Sequence, residues 1–415
     1  MAFYDSDGLK LYYEEQGRGE PLVLVHGFGQ NRSAWEDVVD AYARYFRVIV
    51  VELRGAGESD VPEPGYTVRD HMVADMVSLM DSLEVERVHF SGFSLGGAIG
   101  MELAIAHPDR LISLTLNSTW QGGPCPHLVR WTEIRKRQII QNDPVVNVGT
   151  RMFNFFSPEF IDEHEDRLDA FIEREKKFPP TTPEGIEGHA QACQSFDARD
   201  RLGEISTPTL ITVGTGDRTT TPGQARYLRG HIPGSELIFI DGPGHATMFQ
   251  CPREFTTVSL GFLLKHQSTQ SDLIEPGKQA DRDAGEGAIL DLVENASGAF
   301  NSRDVDAIVD LFTEDAEWYL ARGPEACGRL VKGRAAIREL LTSRYARFPD
   351  MRWVHKGAWA SGNAAFSTWT VQGKAADGEI IDWWGIDYWE FVDAKITRKD
   401  TYWKYVERDD SERDF

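Results

Sequence analysis

Hydrophobic residues in the first 266 positions come in short uninterrupted runs. Pro21-Leu22-Val23-Leu24-Val25-His26, Phe46 to Val51, Leu111 to Leu116, Pro208 to Gly214 and Leu237 to Ile240 each read as a strand covered on both faces. Leu9 to Glu14 partly alternates and predicts an early strand. Between the runs lie helical stretches. One from Val68 to Leu83 carries Met72, Val73, Met76, Leu79, Met80 and Leu83 at helix spacing, and a last one runs from about Pro252 to His266. Strands alternating with helices predict a parallel sheet with helices on both faces. From about Trp120 to Arg201 the strand rhythm stops, and proline-punctuated helical pieces predict an inserted lid.

Residues 267–287 are almost devoid of apolar side chains and predict a flexible linker. A different rhythm follows over 288–408. Helices are expected from Ala288 to Phe300, Asp304 to Phe312 and Arg334 to Phe348, with Asp315 ending the second. Aromatic-rich strands then follow at Met351 to Val354, Ala364 to Val371, Ile380 to Phe391 and Ile396 to Val406. Helices first and an antiparallel sheet afterwards make an α+β unit.

A chain of 415 residues is long enough for two domains, and a formal net charge of −22 argues against nucleic-acid or anionic-membrane partners. No apolar run approaches bilayer-spanning length. The N-terminus lacks the basic and apolar regions of an export signal, and Cys125, Cys193, Cys251 and Cys327 form no C-x-x-C pair. The expectation is a cytoplasmic protein with reduced thiols, no metal and no organic cofactor.

The stretch that organises the chemistry is Val88 to Ala98, containing Gly92-Phe93-Ser94-Leu95-Gly96 between a strand run and an apolar helix. This is the order expected of a G-x-S-x-G elbow, a turn so sharp that side chains at Gly92 or Gly96 would collide with its neighbours. Around it stand His26-Gly27-Phe28-Gly29, Glu52-Leu53-Arg54-Gly55-Ala56-Gly57-Glu58-Ser59, Gly214-Thr215-Gly216-Asp217 and Gly244-His245. With these five segments in order, residues 1–266 resemble an α/β-hydrolase of the enol-lactonase and meta-cleavage-hydrolase kind. Glu52 replaces the usual aspartate of the Arg-Gly segment and is expected to be structural.

Ser94 needs a base, and that base needs an orienting acid. His245 and Asp217 occupy those places in the Ser, acid, His order, with Asp197 and Asp200 in reserve. The backbone N–H groups of Phe28 and Leu95 are the expected oxyanion hole. His26 reads as a packing residue, and Arg54 as a brace for its loop. Trp120, Trp131, Phe153, Phe155 and Phe156 either line an apolar acyl pocket or pack the lid on the body.

Residues 288–408 resemble the SnoaL-like branch of the NTF2-like cone through Phe312-Thr313-Glu314-Asp315-Ala316, Val331-Lys332-Gly333-Arg334 and Ile396 to Trp403. Ile381, Trp383, Gly385, Asp387, Trp389 and Phe391 alternate as an apolar face broken by one acid. Asp387 and Asp400 are the candidate pocket acids, Asp400 by resemblance; Trp318, Tyr319 and His355 are further candidates. The resemblance also implies a homodimer formed through this unit. The expected function is a serine hydrolase cleaving an ester or lactone, or a C–C bond next to a ketone, in a small apolar metabolite. Two rivals are a non-hydrolytic small-molecule binder and a bifunctional hydrolase and cyclase-isomerase.

Overall fold

The computed structural model describes residues 2–123, 126–141, 144–179, 181–267, 276–320, 329–361, 363–374 and 380–405. The chain divides into two compact units, Met1–Gln267 and Ser268–Phe415.

The first unit is built on eight strands: β1 (Ala2–Ser6), β2 (Leu9–Gln16), β3 (Pro21–Val25), β4 (Arg47–Val51), β5 (Val88–Phe93), β6 (Leu111–Asn117), β7 (Thr209–Gly214) and β8 (Glu236–Ile240). Their order in the sheet is β1-β2-β4-β3-β5-β6-β7-β8. The pairs from β4 to β8 are parallel, while β1 and β2 form an antiparallel hairpin on one edge. Every residue of β5 and β7 is buried, as continuous apolar runs require. The hairpin strand β1 was not expected. It folds back at Asp7-Gly8, where both residues have positive φ (53° and 81°), the geometry that Asp-Gly supplies to a tight hairpin.

The inserted segment between β6 and β7 is helical: Pro126–Gln141, Pro144–Phe155, Pro158–Glu163, Glu165–Glu175 and Pro183–Ser195. Proline opens four of these five helices, where its missing N–H costs no intrahelical bond. Ser157 and Thr182 cap two of them by accepting the amides of Phe160 and Gly185. Phe156 packs with Phe160, Phe171 and Phe249, ring centroids 5.1 to 5.3 Å from its own, and so joins insertion to body.

In the second unit a helix, Pro276–Ser302, begins inside the segment expected to be a linker; of that segment, residues 268–275 lie outside the described residues. Lysine, glutamine, alanine, arginine and glutamate after Pro276 are good helix formers, so polarity alone did not make a loop. The sheet comprises β9 (Phe312–Tyr319), β10 (Leu330–Lys332), β11 (Arg352–Ser361), β12 (Ala364–Lys374), β13 (Ile380–Val392) and β14 (Lys395–Tyr405), ordered β10-β9-β14-β13-β12-β11. Asp315 therefore lies within strand β9 and does not end a helix; that helix stops at Val309. The apolar residues of β9 (Phe312, Ala316, Trp318) pack against Ile337 and Leu341 of helix Arg334–Arg347, and this tertiary contact overrides the local reading. The architecture is an eight-stranded, mostly parallel sheet with helices, followed by a sheet-rich unit of six strands. Among the described residues, no helix is long and apolar enough to cross a membrane.

Candidate active site

Strand β5 ends in the elbow. Ser94 has φ 52° and ψ −111°, a left-handed strained turn between β5 and helix Leu95–Ala106. The surrounding glycines are sterically required. A Cβ on Gly92 would lie 2.2 Å from the Gly96 carbonyl oxygen, and one on Gly96 would lie 2.3 Å from that of Val25. The turn is pinned from β6, because Ser94 N–H donates to the Asn117 carbonyl at 2.9 Å and Thr119 Oγ1 donates to the Ser94 carbonyl at 2.7 Å.

Asp217 follows β7 in a turn that its own carboxylate closes: Oδ1 accepts the N–H groups of Thr219 and Thr220 at 2.8 and 2.9 Å. Its Oδ2 accepts the Thr220 hydroxyl at 2.9 Å and faces His245 Nδ1 at 2.9 Å. A carboxylate accepts only, so Nδ1 carries the proton and Nε2 is left as the basic nitrogen. His245 sits on the loop after β8, with its ring 4.8 Å from that of Phe93, the residue before Ser94. The loop is held by the insertion, since Ala246 N–H donates to the Phe155 carbonyl at 2.9 Å. Ser94, Asp217 and His245 are all buried.

The loop after β3 closes the other side. A Cβ on Gly27 would come within 3.1 Å of Ser94 Cβ, so the backbone leading to Phe28 passes directly over the serine. Leu95 is the first residue of the elbow helix. Phe28 lines the same cavity as Ser94, and Leu95 follows the serine directly in the chain.

Two buried histidines brace this loop. His26 Nε2 accepts the Leu53 N–H at 3.1 Å while Nδ1 donates to the Gly27 carbonyl at 2.9 Å. His189, from the insertion, accepts the Gly29 N–H through Nδ1 at 3.1 Å and donates from Nε2 to the Arg54 carbonyl at 2.8 Å. Burial pushes His26 down to about 3 and His189 to about 4, so both are neutral near pH 7. His189 was missed by the sequence reading. It is 160 positions from Gly29 and belongs to no motif.

Glu52 is structural: it accepts the Glu58 N–H and the Arg32 guanidinium, at 2.5 and 2.6 Å. Gly57 passes so close to that carboxyl that a Cβ would be 2.1 Å from it. Arg54 pairs through two nitrogens with buried Asp75, at 2.6 and 2.7 Å, and braces its loop as expected. The reserve acid Asp197 is exposed and bound to Arg199, which holds its carboxyl below the usual range, and neither it nor Asp200 lines the site.

Ser94 and His245 line a cavity of about 380 Å³. Trp120, Trp131 and Phe155 line it too; Phe156 packs the insertion on the body through Phe249, and Phe153 is 75% exposed. The lining is not purely apolar. Arg130, Arg135, Arg151 and Arg218 all reach it, and none was singled out from the sequence.

In the second unit a cavity of about 140 Å³ lies within the cone. Asp387, Trp318 and His355 line it; Tyr319 does not, its hydroxyl donating to Glu317 at 3.0 Å. Asp400 also lies outside. It is turned to the other side of β14 and holds Arg398 through two contacts, 3.1 and 2.7 Å. Its neighbour Lys399 takes the inward place, because alternation along β14 sends adjacent side chains to opposite faces. The side chains of Ile381, Trp383 and Tyr402 lie outside the described residues.

The chain belongs to the α/β hydrolase fold family, which matches residues 20–252. A SnoaL-like domain matches residues 293–399. RutD of Pseudomonas syringae pv. syringae, a protein whose name designates a carbamate hydrolase, is 31% identical over 244 residues, which cover 58% of this chain and 93% of that protein. The 3-oxoadipate enol-lactonase 1 of Acinetobacter baylyi is 28% identical over 253 residues, 58% of this chain and 88% of its own length. The crystal structure of the enol-lactonase from Burkholderia xenovorans LB400 superposes with a TM-score of 0.58 at 26% identity, covering 63% of this chain and 99% of the enzyme.

Proposed function

We propose that the chain is a serine hydrolase acting on an ester or lactone that carries an anionic group. The observation that carries this reading is the Asp217–His245 pair at 2.9 Å, whose His245 lines one cavity with the strained Ser94. His245 Nε2 takes the Ser94 proton as Oγ attacks the carbonyl carbon, and Asp217 stabilises the imidazolium that forms. The amides of Phe28 and Leu95 receive the oxyanion. Collapse of the tetrahedral adduct expels the alcohol, which takes its proton from His245, and a water then repeats the sequence on the acyl-enzyme. The enol-lactonase relatives support a lactone as the acyl compound. Trp120, Trp131 and Phe155 supply apolar contact, and the four arginines favour a carboxylate on the substrate.

The test is turnover of paired p-nitrophenyl esters, acetate against hemisuccinate, together with fluorophosphonate labelling. Wild type is expected to prefer the hemisuccinate, and Ser94→Ala to lose both turnover and label. Absence of turnover and label in wild type sinks the hydrolase reading and leaves a small-molecule binder. By its SnoaL-like resemblance the second unit pairs with a second copy in the cytoplasm, and light scattering that returns a monomer mass removes that part.

A further inference from the structure

We infer that the cone of the second unit is a separate binding site for a small planar aromatic anion, an aryl carboxylate or phenolate, held through Lys399 and Arg344. The shape comes first. The cavity of about 140 Å³ is walled by Phe300, Trp318, Phe348, Trp353, Trp369 and Trp389. A dry apolar cavity of about 150 Å³ is known to accept one benzene molecule, so a single six-membered ring matches this space. Indole and phenyl walls offer that ring offset or edge contacts.

The charge comes second. Asp387 is the one carboxylate that lines the cavity among the described residues, against two cations, Lys399 and Arg344. Lys399 is itself only 3% exposed. Its ammonium lies 4.7 Å from the ring centroids of both Trp318 and Trp389 and 5.9 Å from that of Phe300. Two of its contacts are made within the protein, to Asp387 Oδ1 at 2.5 Å and to Thr401 Oγ1 at 2.7 Å. An ammonium has three donors, and the third has no acceptor among the described residues. Asp387 is committed on its other side, where Oδ2 accepts the Trp369 indole N–H at 2.8 Å. Thr401 accepts a second donor, the Trp318 indole, at 3.0 Å. The Arg344 guanidinium stands 5.4 Å from the Trp318 ring centroid, on the same cavity.

Burial pushes the Lys399 ammonium down to about 8 and lowers Arg344 as well, with Asp387 pulling both the other way. One carboxylate faces two cations on this cavity, the buried Lys399 and the partly buried Arg344, which leaves the site short of negative charge. An entering anion supplies it and takes the third donor of the buried Lys399 ammonium, and a charge-assisted hydrogen bond is stronger than a neutral one. A neutral ring of the same shape fills the space without correcting the charge.

The experiment is a titration of the full chain with benzoate, followed by tryptophan fluorescence and calorimetry, with benzamide as the uncharged comparator. Saturable one-to-one binding is expected, with benzamide at least about tenfold weaker, a loss of about 1.4 kcal/mol. Arg344→Gln and Lys399→Met should each weaken benzoate at least about tenfold, whereas Arg218→Gln, in the other cavity, should leave it unchanged. If Lys399→Met does not fold, Arg344→Gln decides alone. Equal binding of benzamide, absence of saturable benzoate binding, or loss of binding in Arg218→Gln alone overturns the inference.

Discussion

The two cavities of this chain hold acid–base partners in opposite ways. In the first unit Asp217 and His245 stand on loops at the C-terminal ends of β7 and β8, and the Asp217 carboxylate is fixed by two backbone amides and a hydroxyl. In the second, Asp387 and Lys399 stand on facing strands β13 and β14, clamped by indole and threonine side chains. Loops aimed by glycine and backbone can present a side chain to a substrate while leaving the fold alone. A charge pair set into a sheet is part of the core and must be neutralised or paired for the fold to stand. The first arrangement is suited to moving a proton, the second to holding a charge in place.

Substitutions break or sharpen that contrast. The largest effect is expected from Ser94→Ala, a fall in kcat of about 10⁶-fold with an unchanged melting temperature. Next, Asp217→Asn should lower kcat by about 10⁴-fold, because the amide favours the wrong His245 tautomer. Both are read by steady-state kinetics beside thermal unfolding, and a large fall in melting temperature would place Asp217 with the core pairs instead. Lys399→Met should behave the other way. It leaves a buried carboxylate alone, costs the second unit about 3–5 kcal/mol in urea unfolding, and leaves ester turnover unchanged.

A smaller effect is expected from pH. His26 and His189 are held well below their ordinary value of 6.5, at about 3 and about 4. The unfolded chain then binds protons that the folded chain refuses. Their contribution is fully present above pH 6.5 and is lost as pH falls, through about 4 for His189 and about 3 for His26. Urea midpoints of the first unit should decline across that window, and His189→Gln should flatten the decline. A profile level from pH 6.5 to 4 would contradict the bracing role. The smallest effect is expected from Arg218→Gln, which should raise KM for the hemisuccinate ester about tenfold and leave the acetate ester unchanged.

How much could be read in advance differs between the units for the same reason. Ser94, Asp217 and His245 were legible because each lies in a glycine-punctuated segment at the end of a predicted strand, and a parallel α/β sheet brings such strand ends together. Arg130, Arg135, Arg151 and Arg218 were not, because an arginine in a helical insertion or a loop has no period that says whether it faces solvent or substrate. In the cone, alternation on β13 placed Asp387 inward. On β14 resemblance favoured Asp400, and the structure shows its neighbour Lys399 in the cavity.

The amino-acid sequence by itself determined the two folds, the elbow and the order of its partners, since these follow from local rules: apolar runs, proline-opened helices, and glycines where no Cβ fits. Tertiary structure alone decided that His189 braces Gly29 across 160 positions, that four arginines share one cavity, and that Lys399 meets Asp387. These are long-range pairings. Their partners are chosen by packing, and packing leaves no mark in the local order of residues.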